Sequence, residues 1–175
     1  METNRLTLEI FAKEEFELFH AINTNEFVRI YLWDNEVVQL SLSKEIVEES
    51  NKRYQTEKWG LWKIILTKNK ECVGYVGLWY FFDENQPQLL YALLPEYTGK
   101  GYATEASMKI IEYVFEKLNF DYISASLDKP NSKSINVCEK LGMERVNEQI
   151  IEGKPILFYK RFREKKCTQQ RLKCS

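Results

Sequence analysis

One stretch of the chain has residue types and spacing suited to holding an anion. It reads Leu93-Leu94-Pro95-Glu96-Tyr97-Thr98-Gly99-Lys100-Gly101-Tyr102-Ala103-Thr104-Glu105-Ala106. An apolar strand stops at Pro95, two glycines flank a lysine, and a helical pattern begins. The start of a helix presents unpaired N–H groups and a partial positive charge. Glycines let the backbone approach a bound anion closely. Such a turn can grip a diphosphate with main-chain donors alone, and Lys100 adds charge at the rim. Taken alone, a glycine pair at a strand–helix junction is also what a plain tight turn needs. Two phosphate motifs are excluded. A Walker loop needs Ser or Thr after Gly-Lys, and here Gly101 and Tyr102 follow Lys100. A dinucleotide fingerprint needs a third glycine where Thr104 stands.

The second constellation is Asn131-Ser132-Lys133-Ser134-Ile135-Asn136-Val137-Cys138-Glu139-Lys140-Leu141-Gly142-Met143. Two readings stand side by side. In one, Asn131 and Ser132 cap a helix while Ile135, Val137, Cys138 and Leu141 pack. In the other, Asn131 and Ser134 face the groove beside the Gly99–Gly101 turn.

Other chemistries have less support. The chain has one histidine, His20, and four cysteines with no Cys-x-x-Cys pair, which argues against a zinc site. Cys72 and Cys138 fall in apolar patterns and read as buried thiols. Cys167 and Cys174 lie in a polar tail and read as free thiols in a reducing compartment. His20 reads as exposed or capping rather than catalytic.

These residues must be positioned by ordinary elements. Leu6, Leu8 and Ile10 alternate with polar residues as in a strand. A helix is expected over 13–22, a helical turn over 27–33, and a helix over 43–55 with Ser43 as its cap. Two strands over 59–66 and 71–80 flank a polar turn, as in an antiparallel hairpin. A polar loop at 81–88 leads to a short strand over 89–94, expected to be central. Ala106, Ile110, Val114 and Leu118 repeat every fourth residue on a helix over 103–117. A strand over 122–127, a helix over 132–141 stopped by Gly142, and a closing hairpin over 143–162 complete the order. This is a mixed α/β (α+β) layout with one sheet covered by helices.

The chain has 175 residues and is 44% hydrophobic, which suits one domain with a full core. That domain is expected over 1–163, with 164–175 as a flexible, basic tail. The 25 basic and 26 acidic side chains give a net charge of −1, without the concentrated positive charge that nucleic acid requires. No apolar run approaches a membrane span, and no leader pattern opens the chain. The reading is a cytoplasmic protein.

The two constellations, in this order and spacing, resemble the GNAT superfamily of N-acetyltransferases, in the branch of the ribosomal-protein N-terminal (Rim-type) enzymes. The first resembles that family's acetyl-CoA loop. The second resembles its Asn-x-x-Ser helix ending in Glu-Lys-Leu-Gly-Met. Arg5-Leu6-Thr7-Leu8 and Gly74-Tyr75-Val76-Gly77-Leu78 fit as well, so the similarity covers residues 5–162.

The resemblance implies a mostly antiparallel central sheet of about six to seven strands flanked by about four helices. It implies acetyl-CoA as cosubstrate, no metal, and a monomer or homodimer. Its strand before the loop splays from its neighbour, so Leu93, with Tyr91 and Ala92, would hold the pantetheine arm. Amides of Gly99, Gly101, Tyr102, Ala103 and Thr104 would hold the pyrophosphate, with Lys100 near it or facing solvent. Asn131 would bind the coenzyme arm. Ser134 would lie near the thioester sulfur and protonate the leaving thiolate. The acceptor would be a primary amine, either a protein N-terminus or a small molecule. Its walls are expected among Tyr31, Trp33, Trp62 and Trp79, with Glu26, Asp34 and Glu36 at the rim. The chain departs from the family in lacking an obvious base. Gln88 stands where relatives tend to have Glu, Ser126 where others use Glu, and Cys138 where others use Tyr. That departure keeps open a module that binds acyl-CoA without transferring the acyl group.

Overall fold

The computed structural model describes residues 1–82 and 85–164. Cys167, Cys174 and the tail from residue 165 lie outside the described residues. Strand β1 (Leu6–Ile10) alternates as its sequence predicts, burying Leu6 and Leu8. A short 3-10 turn at Lys13–Glu15 precedes α1 (Phe16–Thr24), so the helix begins later than the pattern suggests. Glu15 reaches back to accept from the Ala12 amide at 2.7 Å, which holds the tighter first turn. Helix α2 (Glu26–Leu32) is capped by the Asn25 side chain, which accepts from the Phe27 amide at 3.0 Å.

Helix α3 (Leu40–Glu57) starts before the expected cap. Ser43 is wholly buried inside it, facing His20 Nδ1 across the α1–α3 contact at 3.0 Å. The first orphan donors of α3 are not satisfied by Ser43, whose own amide already bonds Gln39.

The remaining elements are β2 (Leu61–Leu66), β3 (Cys72–Trp79), β4 (Gln88–Leu93), α4 (Tyr102–Glu116), β5 (Tyr122–Asp128), α5 (Ser132–Lys140), β6 (Glu144–Ile151) and β7 (Lys154–Phe162). The strands form two sheets, β1-β2-β3-β4 and β5-β7-β6, with every neighbouring pair antiparallel. This corrects the single sheet read from element order. Strand β4 is not central in a ladder but ends one, and β5 lies beside it with no ladder between them. Among the described residues five α-helices flank the strands.

The first sheet is covered on both faces. On one, Leu6, Leu8, Trp62, Ile64, Val76, Leu78 and Leu93 meet Ala106, Ile110 and Val114 of α4. Those three helix residues, spaced by four, are each 0% exposed. On the other face Phe11, Leu61, Tyr75 and Ala92 meet Phe19, Ile22, Val28 and Val47 from α1–α3. Each large apolar side chain buried this way contributes about 1.5–3 kcal/mol. In the second sheet, Ile123, Ala125, Leu157 and Tyr159 pack towards Cys138, Leu141 and Met143. Its hairpin turns at Glu152-Gly153, both at positive φ. Strand β6 is the outer strand, exposed along nearly its whole length and bulged between Arg145 and Asn147.

One polar hub is sealed in the α1–α3 side of this core. Asn23 is 0% exposed and donates from Nδ2 to the Phe19 carbonyl at 2.8 Å. Its Oδ1 accepts from Trp33 Nε1 at 2.7 Å and from the Tyr75 hydroxyl at 2.8 Å. Burial pushes the Tyr75 phenol pKa up, so it stays a donor. A single amide thus ties α1, the end of α2 and β3. Asn23→Leu strands the buried Tyr75 hydroxyl and the half-buried Trp33 Nε1 and is expected to cost about 2–4 kcal/mol, since an unsatisfied buried group costs about 1–3 kcal/mol. Urea denaturation followed by circular dichroism measures it, with Tyr75→Phe expected to cost less.

Candidate active site

The gap between the two sheets begins with main-chain geometry. Leu94 donates its amide to the Val73 carbonyl at 3.0 Å. Antiparallel pairing alternates, so the main-chain groups of Ala92 also turn to β3, while those of Tyr91 and Leu93 turn to β5. No ladder takes them up there. Tyr91 and Leu93 therefore offer main-chain donors and acceptors to anything lying in the gap. Ala92, expected alongside them, spends its groups on β3 and packs its side chain towards α1–α3.

Past β4 the chain makes a 3-10 turn at Pro95–Tyr97, with the Thr98 hydroxyl donating to the Pro95 carbonyl at 2.9 Å. Gly99 has φ 73° and Gly101 φ 82°, the left-handed region that side chains disfavour. Gly101 is also the N-cap of α4, and it supplies no side-chain cap. The first-turn amides of Tyr102, Ala103 and Thr104 therefore keep the orphan character of a helix start. The turn is pinned below by the Tyr97 hydroxyl, which donates to Glu71 next to β3. That bond pushes the Tyr97 pKa up to about 12. Lys100 Nζ rests 5.3 Å from the Tyr97 ring centre, on the exposed side of the turn.

Arg5 braces the same turn from just before β1. It donates from Nη1 to the Lys100 carbonyl at 3.0 Å, from Nε to Glu105 at 2.7 Å, and lies 4.6 Å from the Tyr102 ring centre. Glu105 also accepts from the Thr3 hydroxyl at 2.6 Å and from the Arg5 amide at 3.0 Å. A carboxylate in the first turn of α4 would repel a diphosphate at that helix end. Arg5 cancels its charge. In the sequence Arg5 stands out only as part of the Arg5-Leu6-Thr7-Leu8 segment. The signal available was an arginine just before β1 and an acid just inside the helix, but nothing in the spacing said that they meet.

The other wall of the gap is α5. Asn131 caps it, with Oδ1 accepting from the Ser134 amide at 3.1 Å, so the capping reading of Asn131 holds in the structure. Ser132 plays no capping part. Its side chain leaves that work to Asn131. Ser134 and Cys138 lie one turn apart on one face of α5. Cys138 is 2% exposed and burial pushes its thiol up to about 12, so it remains a neutral thiol. Cys72, expected to be buried, is half-buried. The Tyr91 side chain comes from β4 towards Ser134 and within electrostatic reach of Cys138. Its buried hydroxyl makes no hydrogen bond of ordinary geometry, and neither does the amide of Gln88, which is 1% exposed at the start of β4.

The four aromatics expected around an acceptor do not converge. Trp62 points to the α4 side, stacked edge-on against Tyr54 and Tyr113 at 6.0 and 5.9 Å. Strand alternation puts it on the face opposite Trp79, which packs with the α1–α3 cluster. Trp33 is held by Asn23, and Tyr31 is exposed on α2. Asp34 pairs with Lys154 at the start of β7. Glu26 pairs with Arg29 on its own helix at 3.6 Å.

A family model described as an acetyltransferase (GNAT) domain matches residues 5–144. The chain belongs to that family and is an acyltransferase. It is 26% identical over 144 residues to an uncharacterized N-acetyltransferase, YnaD, of Bacillus subtilis (strain 168), covering 82% of this chain and 81% of the relative. It is 28% identical over 150 residues to the spermidine N(1)-acetyltransferase of Escherichia coli (strain K12), covering 81% and 76%. The fold matches that of a spermidine N-acetyltransferase from Vibrio cholerae, solved with CoA and spermine, at a TM-score of 0.75 and 20% identity, covering 91% and 96%.

The brace has a pH signature. Burial raises the Glu105 pKa, but hydrogen bonds from Thr3 and Arg5 and the Arg5 charge outweigh it and hold the carboxyl below its usual range. Its contribution is present above the ordinary carboxylate pKa and is lost as pH falls through the lowered value. Arg5→Ala is expected to raise the Glu105 pKa, read by carboxyl-carbon NMR titration, and to shrink the loss of stability in acid.

Proposed function

We propose that this acyltransferase moves the acetyl group of acetyl-CoA to a primary amine by direct attack. The observation that carries the proposal is the pairing of an uncapped helix start at Gly101 with the unladdered edge of β4. One suits a diphosphate, the other an amide-bearing arm. On this reading the amides of Gly99, Gly101, Tyr102, Ala103 and Thr104 bind the pyrophosphate, and Tyr91 and Leu93 bind the arm through main-chain groups. Lys100 lies at the rim of the pyrophosphate site. Asn131, its Oδ1 committed to the cap, contributes its Nδ2. Ser134 hands a proton to the leaving sulfur.

The acceptor is a protein N-terminus or a small amine. The spermidine enzyme among the relatives makes small amines a fitting class. The site offers no carboxylate at Gln88, so the amine sheds its proton through water or to solvent. An α-amine, with an ordinary pKa of about 8, does this more readily than a lysine at about 10.4. The missing carboxylate at Gln88 also motivates a second reading, in which the chain binds acyl-CoA without transferring it.

Thiol release from acetyl-CoA with a panel of peptides and polyamines separates the two. Release with any acceptor is the expected result. Tight CoA binding with acetyl-CoA left intact supports the second reading. Gly101→Val puts a branched side chain at φ 82°, with its Cβ about 3.3 Å from the Arg5 guanidinium. It is expected to abolish CoA binding in calorimetry, and an unchanged affinity counts against the site.

A further inference from the structure

Tyr91 carries a group that the folded protein itself leaves unused. Its hydroxyl oxygen is buried and, among the described residues, has no hydrogen-bond partner of ordinary geometry. An unsatisfied buried hydroxyl is a cost that folding normally avoids, and its persistence at a site points to a ligand. Three observations place it. The main-chain groups of Tyr91 face the β4–β5 gap. Its ring packs on the α4 side of the sheet, against the cluster that holds Cys138. Its hydroxyl stands beside Ser134, in reach of that side chain without hydrogen-bonding geometry, with Cys138 one helical turn further on. The residue is thus both a rung of the open edge and a donor aimed at the α5 wall.

We infer that the Tyr91 hydroxyl is a catalytic hydrogen-bond donor to the sulfur of the departing thiol. The inference rests on the transferase reading above. In the step, the acceptor nitrogen forms its bond to the acetyl carbon as the carbon–sulfur bond breaks, and the electron pair of that bond goes to sulfur. The surplus proton on nitrogen passes to the Ser134 hydroxyl as Ser134 gives its own proton to sulfur. Tyr91 keeps its proton throughout. Burial pushes its pKa upward, which suits a neutral donor and not an acid that must ionise. A donor preorganised in a dry site acts on charge that develops only in the transition state. Cys138 is no rival, since its thiol is held neutral by burial and is a weak donor.

The test is Tyr91→Phe, which removes one oxygen and leaves the ring packing intact. The expected result is a fall in kcat of about a hundredfold or more, the range for losing one such donor, with the KM for acetyl-CoA and the affinity for CoA unchanged. The melting temperature is expected to equal or exceed that of the wild type, because the hydroxyl has no partner to lose. A kcat within about twofold of wild type overturns the inference, as does a loss confined to KM. A melting temperature well below wild type shows a structural bond in the free protein and also overturns it. Wild-type protein is run in the same assay. If it binds CoA but releases no thiol with any amine, the transferase reading fails with it, whereas an active wild type and an equally active Tyr91→Phe variant sink this inference alone.

Discussion

The site depends on a hydrogen-bond ladder that stops. Strand β4 pairs with β3 along its length and, among the described residues, with no strand on its other side, although β5 lies next to it. Main-chain groups left like this in a protein interior are costly, and a fold tolerates them only where something else takes them up. Each sheet is complete in its own antiparallel partners, and the two share one apolar core through α4. The gap between them can therefore stay open without unravelling either. Helix α4 bridges it, leaving β4 by way of the glycine turn and returning the chain to β5.

Holding that turn in place takes side chains from distant parts of the sequence. Arg5 comes from just before the first strand and Glu71 from just before β3, and both reach the loop that precedes α4. An exposed ion pair such as Arg5–Glu105 adds little to global stability. The effect of these contacts is to fix where the glycines point. The charge logic runs the same way. Glu105 gives α4 a favourable acidic first turn, and Arg5 removes the penalty that acid would bring to a neighbouring anion.

Much of this was legible before the structure. The glycine turn, the four-residue repeat of Ala106, Ile110 and Val114, and the alternation of Leu6 and Leu8 are local patterns, and local patterns fix local elements. The Asn131 cap followed from residue type at a helix start. What escaped was the non-local geometry. Element order says that β4 precedes α4 and β5, and only the family resemblance, not any residue pattern, implied that β4 splays from its neighbour. Spacing identifies Trp62 as an aromatic in a strand without saying which of two equally apolar faces receives it. Both faces of this sheet are covered, so alternation of polar and apolar residues gives no clue. Ser43 misled because a serine before an apolar stripe has the composition of a cap, while here it is buried deep between α1 and α3. The unpartnered hydroxyl of Tyr91 has no sequence signal at all.

Strand β6 carries a consequence of a different sort. It is the outermost strand of its sheet, with Ile150 68% and Val146 49% exposed, and such an edge invites a further strand to add to it. Two features blunt that invitation. The bulge between Arg145 and Asn147 breaks the spacing that an incoming strand would have to match, and Glu144, Arg145 and Glu148 place charge along the edge. Substitutions that straightened the bulge or stripped those charges would create a sticky border, so clumping during expression, and not lost turnover, would be their first symptom.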